Sequence, residues 1–323
     1  MEKRILFRVD GYRELGLGHI YNCLTLAEHM KNCQVLFVLH KRSDLGVKKI
    51  ADSKYKYHVI ETDKDIPAII TEFNPDIWVN DCLDSDESFI RMVKNSVPRV
   101  VTIEDRGTGI KVADIVINAL YEDMEEKNVY SGWQYACLRK EFLDSEPIVF
   151  REKVSNVVIL FGGTDPSNYN KMLYKVIMEI GSRYHDIRFN FITGFGYDAE
   201  KNGIITSEED NIYVYSNVKR VSKYMKEADI AITSQGRTIF ELAAMGVPSI
   251  VLSQNEREQT HTFAQMEHGF LNLGLRDVSA DLVKNTLDWL INTPPIRRNM
   301  HDLMLRLPMK SGVERVKKLI LNL

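Results

Sequence analysis

The sequence predicts an α/β protein of two domains, each built on a parallel β-sheet with helices on both faces. Three observations favour this fold class. The chain has 323 residues, which favours two domains over one. Short apolar strand patterns alternate with helical patterns, and this alternation restarts after Pro147 and a charged run at residues 151–153. The predicted divisions are an N-terminal domain at 1–150, a second domain at 151–305 and a C-terminal helix at 306–323.

The first half is predicted to contain six strands, each a short apolar run. We expect these strands at residues 5–7, 34–39, 57–60, 76–80, 99–103 and 113–117. Helical patterns begin near residue 19 and cover residues 44–53, 65–73 and 87–94. Pro67 is compatible with a helix because it falls in the first turn of the third one.

The second half repeats this organisation. Its strands are expected at residues 157–161, 187–192, 212–215, 230–233 and 249–252. Helices are expected at about residues 168–182 and 280–291, the second ending at Pro294 and Pro295. The segment 312–323 is predicted to be an amphipathic helix, because its apolar residues share one face.

The composition is that of an ordinary globular enzyme, with 44% hydrophobic and 27% charged residues. A net charge of −3 argues against nucleic acid or an anionic membrane as an obligatory partner. The four cysteines form no Cys-x-x-Cys pair, which indicates reduced thiols rather than a zinc or redox motif. We expect a cytoplasmic protein, because no signal peptide and no apolar run of about 20 residues is present.

The loop after the first predicted strand carries the strongest functional signal. Gly16 and Gly18 allow a ligand to approach the backbone, and the helix start that follows suits an anion. His19, at this helix start, can exchange a proton near neutral pH. The pattern by itself is equally typical of a tight turn with a polar cap. Arg8 and Asp10 favour a site, because α/β proteins bind ligands beyond the carboxyl ends of strands.

Two turns in the second half, each interpreted as a helix start, have the composition of phosphate sites. They lie at residues 162–165 and 233–238 and combine small residues, hydroxyl groups and backbone N–H groups. One such turn is more often ordinary turn chemistry, but two in one domain favour a diphosphate. Glu241 can accept the hydroxyls of a ribose, or it is a solvated helix glutamate. The residues assigned to a nucleotide are Gly162, Gly163, Thr164, Ser234, Gln235, Gly236, Arg237, Thr238 and Glu241.

Polar residues near other strand ends are candidates for binding a sugar. Asn118 ends a predicted strand, while Gln254 and Gln259 follow the strand at 249–252 and can hold substrate hydroxyls, although such loop residues are usually only polar. The sugar-binding candidates are Arg8, Gly16, Gly18, Asn118, Gln254 and Gln259.

Residues 233–248 resemble the nucleotide-binding segment of GT-B nucleotide-sugar enzymes. The resemblance implies two Rossmann-like domains that face a cleft, with the nucleotide held by the C-terminal domain and the reaction centre lined by the N-terminal domain. It also implies that the final helix returns to the N-terminal domain.

Four segments, at residues 7–10, 16–20, 137–142 and 162–165, resemble the nucleotide-sugar hydrolases of pseudaminic acid biosynthesis and the related spore-coat polysaccharide glycosyltransferases. The likeness follows the order of nearly the whole chain. It implies that His19 is catalytic. It further implies that water cleaves the anomeric C–O bond of a UDP-linked diacetamido-trideoxyhexose and releases UDP.

The sequence departs from the hydrolases at two positions. Leu83 stands where they have a tyrosine after the strand-end aspartate, which is Asp81 here, and Asn22 replaces an arginine common in relatives. A glycosyltransferase that uses a nucleotide sugar is therefore the alternative function, and a non-catalytic sensor of nucleotide sugars is the third.

The expected chemistry needs no cofactor and no metal. A neutral imidazole at His19 can remove a proton from water or from a sugar hydroxyl. Asp10 can orient His19 or act as the base itself, and Asp81 is the third catalytic candidate. Arg237 and the helix starts can stabilise the charge of the leaving diphosphate.

Overall fold

A computed structural model of the chain describes residues 2–122, 126–276 and 278–322. The chain divides into two compact units, Met1–Arg139 with Lys310–Leu323, and Lys140–Met309. Each unit contains one sheet whose strands all run parallel in the described part of the chain. The predicted fold class, α/β with two parallel-sheet domains, is confirmed.

The chain passes from the first unit to the second after Arg139 and back after Met309, whereas the sequence predicts these changes at residues 150 and 305. Backbone hydrogen bonds explain the earlier change. The N–H of Ile148 donates to the carbonyl of Met245 at 2.8 Å, so residues just before 150 already belong to the second unit.

The first unit has seven strands in the order β3-β2-β1-β4-β5-β6-β7. The strands are β1 Lys3–Val9, β2 Cys33–His40, β3 Lys56–Ile60, β4 Ile77–Asp81, β5 Arg99–Ile103, β6 Ile115–Asn118 and β7 Val129–Ser131. The helices are α1 Gly18–His29, α2 Asp44–Ala51, α3 Ile66–Phe73 and α4 Glu87–Lys94. The strand order reverses between β1 and β4, which makes this pair the topological switch point of the sheet.

The central strands of the first unit are apolar because both faces of the sheet are covered. Leu6 on β1, Trp78 on β4 and Val100 on β5 are fully buried in one cluster. On β1 and β2, the rings of Phe7 and Phe37 stack with their centroids 5.3 Å apart. These contacts hold β1 and β4 rigidly at the centre of the unit.

The second unit has six strands in the order β10-β9-β8-β11-β12-β13, and its switch point is the pair β8 and β11. Its strands are β8 Asn156–Leu160, β9 Arg188–Thr193, β10 Ile212–Ser216, β11 Ile230–Ser234, β12 Ser249–Leu252 and β13 Phe270–Asn272. Its helices are α5 Lys140–Leu143, α6 Tyr169–Ile180, α7 Val221–Glu227, α8 Thr238–Met245, α9 Glu256–Gln259, α10 Ala280–Ile291 and α11 Pro294–Leu305. No helix in the described ranges is long and apolar enough to span a membrane.

The two prolines after α10 mark a helix start that the sequence analysis does not predict. Helix α11 begins at Pro294, and Pro295 follows in its first turn. A proline is tolerated there because the first N–H groups of a helix have no partner within it. Helix α10 ends earlier, at Ile291, so the two prolines begin the next helix.

The last helix, α12 Gly312–Leu321, belongs to the first unit, where it packs against α1. Its apolar face is buried through Val313, Val316 and Ile320, as the amphipathic pattern predicts. Gly312 begins the helix directly against the backbone of Ala136, and a Cβ at this position would lie 2.0 Å from that carbonyl oxygen. The close approach of the two backbones depends on glycine.

We expect Gly312→Ala to lower the free energy of unfolding of the protein by about 1–3 kcal/mol, because the added methyl group overpacks a rigid backbone contact. Urea denaturation would measure the change. Gly181→Ala is the matched control, since its Cβ would come no closer than 3.4 Å to the carbonyl oxygen of Asp210. Equal stability of the two variants would contradict this view of how α12 docks.

Candidate active site

The switch point of the first unit brings together a histidine and an aspartate that are distant in sequence. His19 is the second residue of α1, and Asp81 is the last residue of β4, the neighbour of β1. The Nδ1 atom of His19 lies 2.5 Å from Oδ1 of Asp81. Asp81 is completely buried, whereas 12% of the His19 side chain is exposed.

The position of Asp81 is fixed by a second residue of α1. Nδ2 of Asn22 donates a hydrogen bond of 3.0 Å to Oδ2 of Asp81, so the two carboxylate oxygens are engaged by different side chains. Sequence reasoning noted Asn22 only as a departure from relatives. Its spacing from His19 is the available signal, because residues three apart lie on the same face of a helix.

This pairing determines what His19 can do. With Nδ1–H donating to a carboxylate, Nε2 remains the proton acceptor of the neutral imidazole. A buried carboxylate at this position can orient the ring and stabilise an imidazolium. Such a pair can serve as a general base with a positioning partner.

The environment of Asp10 fits neither of its two predicted roles, which are to orient His19 or to act as the base. Its carboxylate accepts hydrogen bonds from Arg8 at 2.7 and 3.2 Å, from Oγ of Ser43 at 2.6 Å and from the N–H of His40 at 3.1 Å. Burial alone would raise its pKa, but these bonds and the charge of Arg8 hold the pKa at about 2. A carboxylate with this pKa is a weak base near neutral pH, and it is Asp81 that orients His19.

Two of the predicted sugar-binding side chains are occupied within the protein. Arg8 is 5% exposed and its guanidinium is used by Asp10. Asn118 is completely buried, accepts from the N–H of Asp105 at 3.0 Å and donates to the carbonyl of the same residue at 2.8 Å. Asn118 connects the end of β6 to the loop after β5, whereas Arg8 holds Asp10 in the loop that follows its own strand.

The glycine loop has the geometry that the sequence predicts. Gly16 adopts a φ of 81°, a value that favours glycine, and its N–H donates to the carbonyl of Tyr12 at 2.8 Å. Gly18 begins α1 and is exposed. The N-terminus of this helix has no side-chain cap and no acidic residue in its first turn. Its backbone N–H groups therefore face no negative charge from their own helix.

In the second unit, three loops at the carboxyl ends of adjacent strands carry the candidate nucleotide residues. Gly162, Gly163 and Thr164 follow β8, residues 235–237 join β11 to α8, and Gln254 follows β12. The loops are tied together by hydrogen bonds. The partners are Gln254 Nε2 with Phe161 O at 3.4 Å, Ser253 Oγ with Gln235 Oε1 at 2.6 Å, and Ser167 Oγ with Gln254 O at 2.6 Å.

The individual side chains differ in how well they can reach a ligand. Ser234 and Gln235 are buried, and the Gln235 amide is used by Ser253 and by the carbonyl of His261. Thr164 is buried as well. The partly exposed or exposed candidates of this unit are Gly162, Gly163, Gly236, Arg237, Thr238, Glu241, Gln254 and Gln259. Loop β11–α8 therefore offers its backbone and its later side chains to a ligand.

The sequence analysis treats the turn after β8 as the start of a helix, but no helix begins at this turn. Helix α6 begins later, at Tyr169, and Asp165 accepts the N–H groups of Tyr169 at 3.0 Å and Asn170 at 2.8 Å. The carboxylate of Asp165 thus occupies the position of an anion at this helix. A phosphate at this loop would bind the turn at Gly162 and Gly163, where Gly162 has a φ of 70°.

Glu258 on α9 is a residue that sequence reasoning missed. Its Oε2 accepts the N–H of Gln254 at 2.8 Å and the N–H of Gln235 at 3.2 Å. Burial raises its pKa to about 7. The sequence gives little signal for this role, since Glu258 lies in a polar stretch with other acidic residues. Across the described part of the chain, no group of three or more His, Cys, Asp or Glu residues could hold a metal ion.

The chain is similar to a glycosyltransferase family and to several known proteins. Residues 157–312 match the family described as the glycosyltransferase family 28 C-terminal domain. The chain is 32% identical over 277 residues to uncharacterized protein MJ1062 of Methanocaldococcus jannaschii, covering 79% of this chain and 57% of that protein. It is 24% identical over 310 residues to spore coat polysaccharide biosynthesis protein SpsG of Bacillus subtilis, covering 90% of each. MurG of Acinetobacter baumannii superposes with a TM-score of 0.66 at 14% identity, covering 99% of this chain and 100% of MurG.

The protein has the GT-B glycosyltransferase fold, as the resemblance of residues 233–248 implies. The match to the glycosyltransferase family 28 C-terminal domain lies almost entirely within the second unit. The chain spans little more than half the length of MJ1062, at 57%.

Proposed function

We propose that the protein hydrolyses a nucleotide sugar, with His19 as the general base. The observation that carries the proposal is the pairing of His19 Nδ1 with the buried Asp81 at 2.5 Å. This pairing prepares Nε2 to accept a proton at the switch point of the first sheet. The resemblance of the loops around His19 to nucleotide-sugar hydrolases supports a UDP-linked diacetamido-trideoxy sugar as substrate.

The reaction transfers one proton and breaks one C–O bond. Nε2 of His19 takes a proton from water while the oxygen of that water attacks the anomeric carbon. The bonding electrons leave with the diphosphate, which departs as UDP. We assign the nucleotide to the loops after β8 and β11 in the second unit, where backbone N–H groups and Arg237 stabilise the charge of the leaving group. Asp81 stabilises the imidazolium until the proton passes to solvent.

The alternative is transfer of the sugar to an acceptor hydroxyl with the same base. The glycosyltransferase family 28 match at residues 157–312 and the similarity to SpsG support it. The two reactions differ only in which hydroxyl gives its proton to His19.

A nucleotide-release assay distinguishes the two reactions. The protein is incubated with a panel of UDP-, GDP- and CMP-sugars, with and without a mixture of sugar acceptors. Release of UDP in water alone establishes the hydrolase. Release that needs an acceptor establishes the transferase. Tight binding without turnover under either condition would overturn both and leave a nucleotide-sugar sensor.

We expect Glu241→Ala to weaken nucleotide binding by roughly ten- to a hundredfold, because a carboxylate that accepts ribose hydroxyls contributes about 1.5–3 kcal/mol. Glu241 lies in the first turn of α8 and is partly exposed. Titration calorimetry with UDP would measure the loss, with Glu227→Ala, an exposed position at the end of α7, as control. Unchanged affinity in Glu241→Ala would remove the ribose assignment.

A further inference from the structure

Glu258 occupies the backbone donors that a phosphate would use at loop β11–α8. Its Oε2 accepts the N–H of Gln235, which belongs to this loop, and the N–H of Gln254, which follows β12. Gly236 lies beneath the carboxylate, since a Cβ on Gly236 would be 3.5 Å from Oε1 of Glu258. A carboxylate is thus held at the switch point of the sheet, in front of helix α8.

A carboxylate and a diphosphate cannot both remain charged at this place. Backbone N–H groups at a helix start attract anions, and two anions in contact repel each other strongly when they are shielded from water. A nucleotide that uses the N–H of Gln235 must either displace Glu258 or meet it in a neutral form. Protonation removes the repulsion, because a carboxylic acid carries no charge and its O–H can donate a hydrogen bond to a phosphate oxygen.

We propose that Glu258 is a residue of the nucleotide site that takes up one proton from solvent when a nucleoside diphosphate sugar binds. The inference rests on the proposed function, because it requires that the nucleotide occupies loop β11–α8. It adds Glu258 to the nucleotide site and makes the affinity for the nucleotide sugar depend on pH.

The surroundings of Glu258 favour the neutral form. Burial raises the pKa of Glu258 to about 7, the N–H donors of Gln254 and Gln235 oppose the rise, and the charge of Asp165 adds to it. Burial also raises the pKa of Tyr169, and the charge of Glu258 contributes to that rise. The other charged or titratable side chains on the neighbouring segments are Arg237, Glu256, Arg257 and His261.

The sign of the pH dependence follows from this ionisation. Below pH 7 the free protein already carries the proton, and binding takes up little. Above pH 7 the carboxylate must be protonated on binding, so the affinity falls by about tenfold for each further pH unit. The bound diphosphate raises the pKa of Glu258 further, which extends this dependence to higher pH.

Titration calorimetry on the full-length protein tests the inference. UDP-N-acetylglucosamine is the first probe, followed by dTDP-glucose and GDP-mannose, because their diphosphate diesters do not themselves titrate near neutral pH. Measurements at pH 6, 7, 8 and 8.5 in two buffers of different ionisation enthalpy report the affinity and the number of protons taken up. Glu258→Gln retains a carbonyl acceptor and an N–H donor without an ionisable group. Glu256→Gln is the matched control on the same helix, where the exposed Glu256 pairs with the exposed Arg276 at 3.4 Å.

The expected result is proton uptake that approaches one per site at pH 8, loss of the uptake and of the pH dependence in Glu258→Gln, and retention of both in Glu256→Gln. Binding that is independent of pH in the wild type, or a dependence that survives in Glu258→Gln, would overturn the inference and leave the nucleotide site standing. Failure of all three probes to bind would overturn the nucleotide assignment and the inference together.

Discussion

Replacement of His19 by glutamine is expected to lower the rate of nucleotide release by about 10²–10⁴-fold, the usual contribution of a positioned general base. Glutamine can still donate a hydrogen bond to Asp81, but it cannot take a proton at neutral pH. Nucleotide affinity is expected to stay unchanged, because the nucleotide is assigned to loops of the second unit. Single-turnover kinetics and calorimetry with UDP measure the two quantities separately.

The matched control is His29→Gln on the same helix. His29 is ten residues from His19 and is the last residue of α1. Its Nδ1 lies 2.9 Å from the carbonyl oxygen of Thr25. Its replacement should leave the rate of nucleotide release intact. A His19→Gln protein that keeps the wild-type rate, or that loses UDP binding as strongly as turnover, would show that the base has been assigned to the wrong residue.

Asp81→Asn is expected to slow the reaction by up to about 10⁴-fold, the loss that follows when the carboxylate behind the histidine of a Ser-His-Asp triad is replaced by its amide. The amide keeps the shape of Asp81 but no longer favours the tautomer in which Nε2 accepts a proton. It also removes the charge that stabilises the imidazolium. The rate of nucleotide release as a function of pH is the measurement.

The variant Asp10→Asn tests whether Asp10 supports His19 in the reaction or only stabilises the fold. Because Asp10 is buried against Arg8, its replacement leaves a buried guanidinium without its charged partner and should lower the free energy of unfolding by about 3–5 kcal/mol. The folded fraction should keep the pH profile of the wild type. A different result would identify Asp10 as the catalytic aspartate: Asp10→Asn would lose turnover but keep its stability, and Asp81→Asn would keep its turnover.

The elements of the fold could be predicted because their signals are local. The predicted strands at residues 99–103 and 249–252 have the bounds of β5 and β12, and the predicted helix at 87–94 has the bounds of α4. Strands β7 and β13 could not be predicted, since three residues each are too few to form a periodic pattern. The glycine loop and the final amphipathic helix could be predicted as well, because their signals are also local.

The partners of the candidate site could not be predicted, because they depend on strand order. Sequence reasoning named His19, Asp10 and Asp81 as catalytic candidates, but it considered only Asp10 as the residue that orients the histidine. Asp10 is nine residues from His19 and Asp81 is 62 residues away, yet parallel pairing of β1 with β4 brings Asp81 against the ring. Pairing between distant strands depends on the packing of the whole sheet, which no local pattern contains.

The sequence by itself determined the two α/β halves, the strand–glycine–helix loop at His19 and the turns that follow two strands of the second half. These follow from apolar periodicity and from glycine, which act over a few residues. Only the tertiary structure decided that Asp81 rather than Asp10 contacts His19. It also decided that Asp165 accepts backbone N–H groups at the start of α6 and that Glu258 accepts a backbone N–H of loop β11–α8. Asp81 and Asp165 are buried and Glu258 is partly exposed, and the burial of a carboxylate is a property of the folded chain.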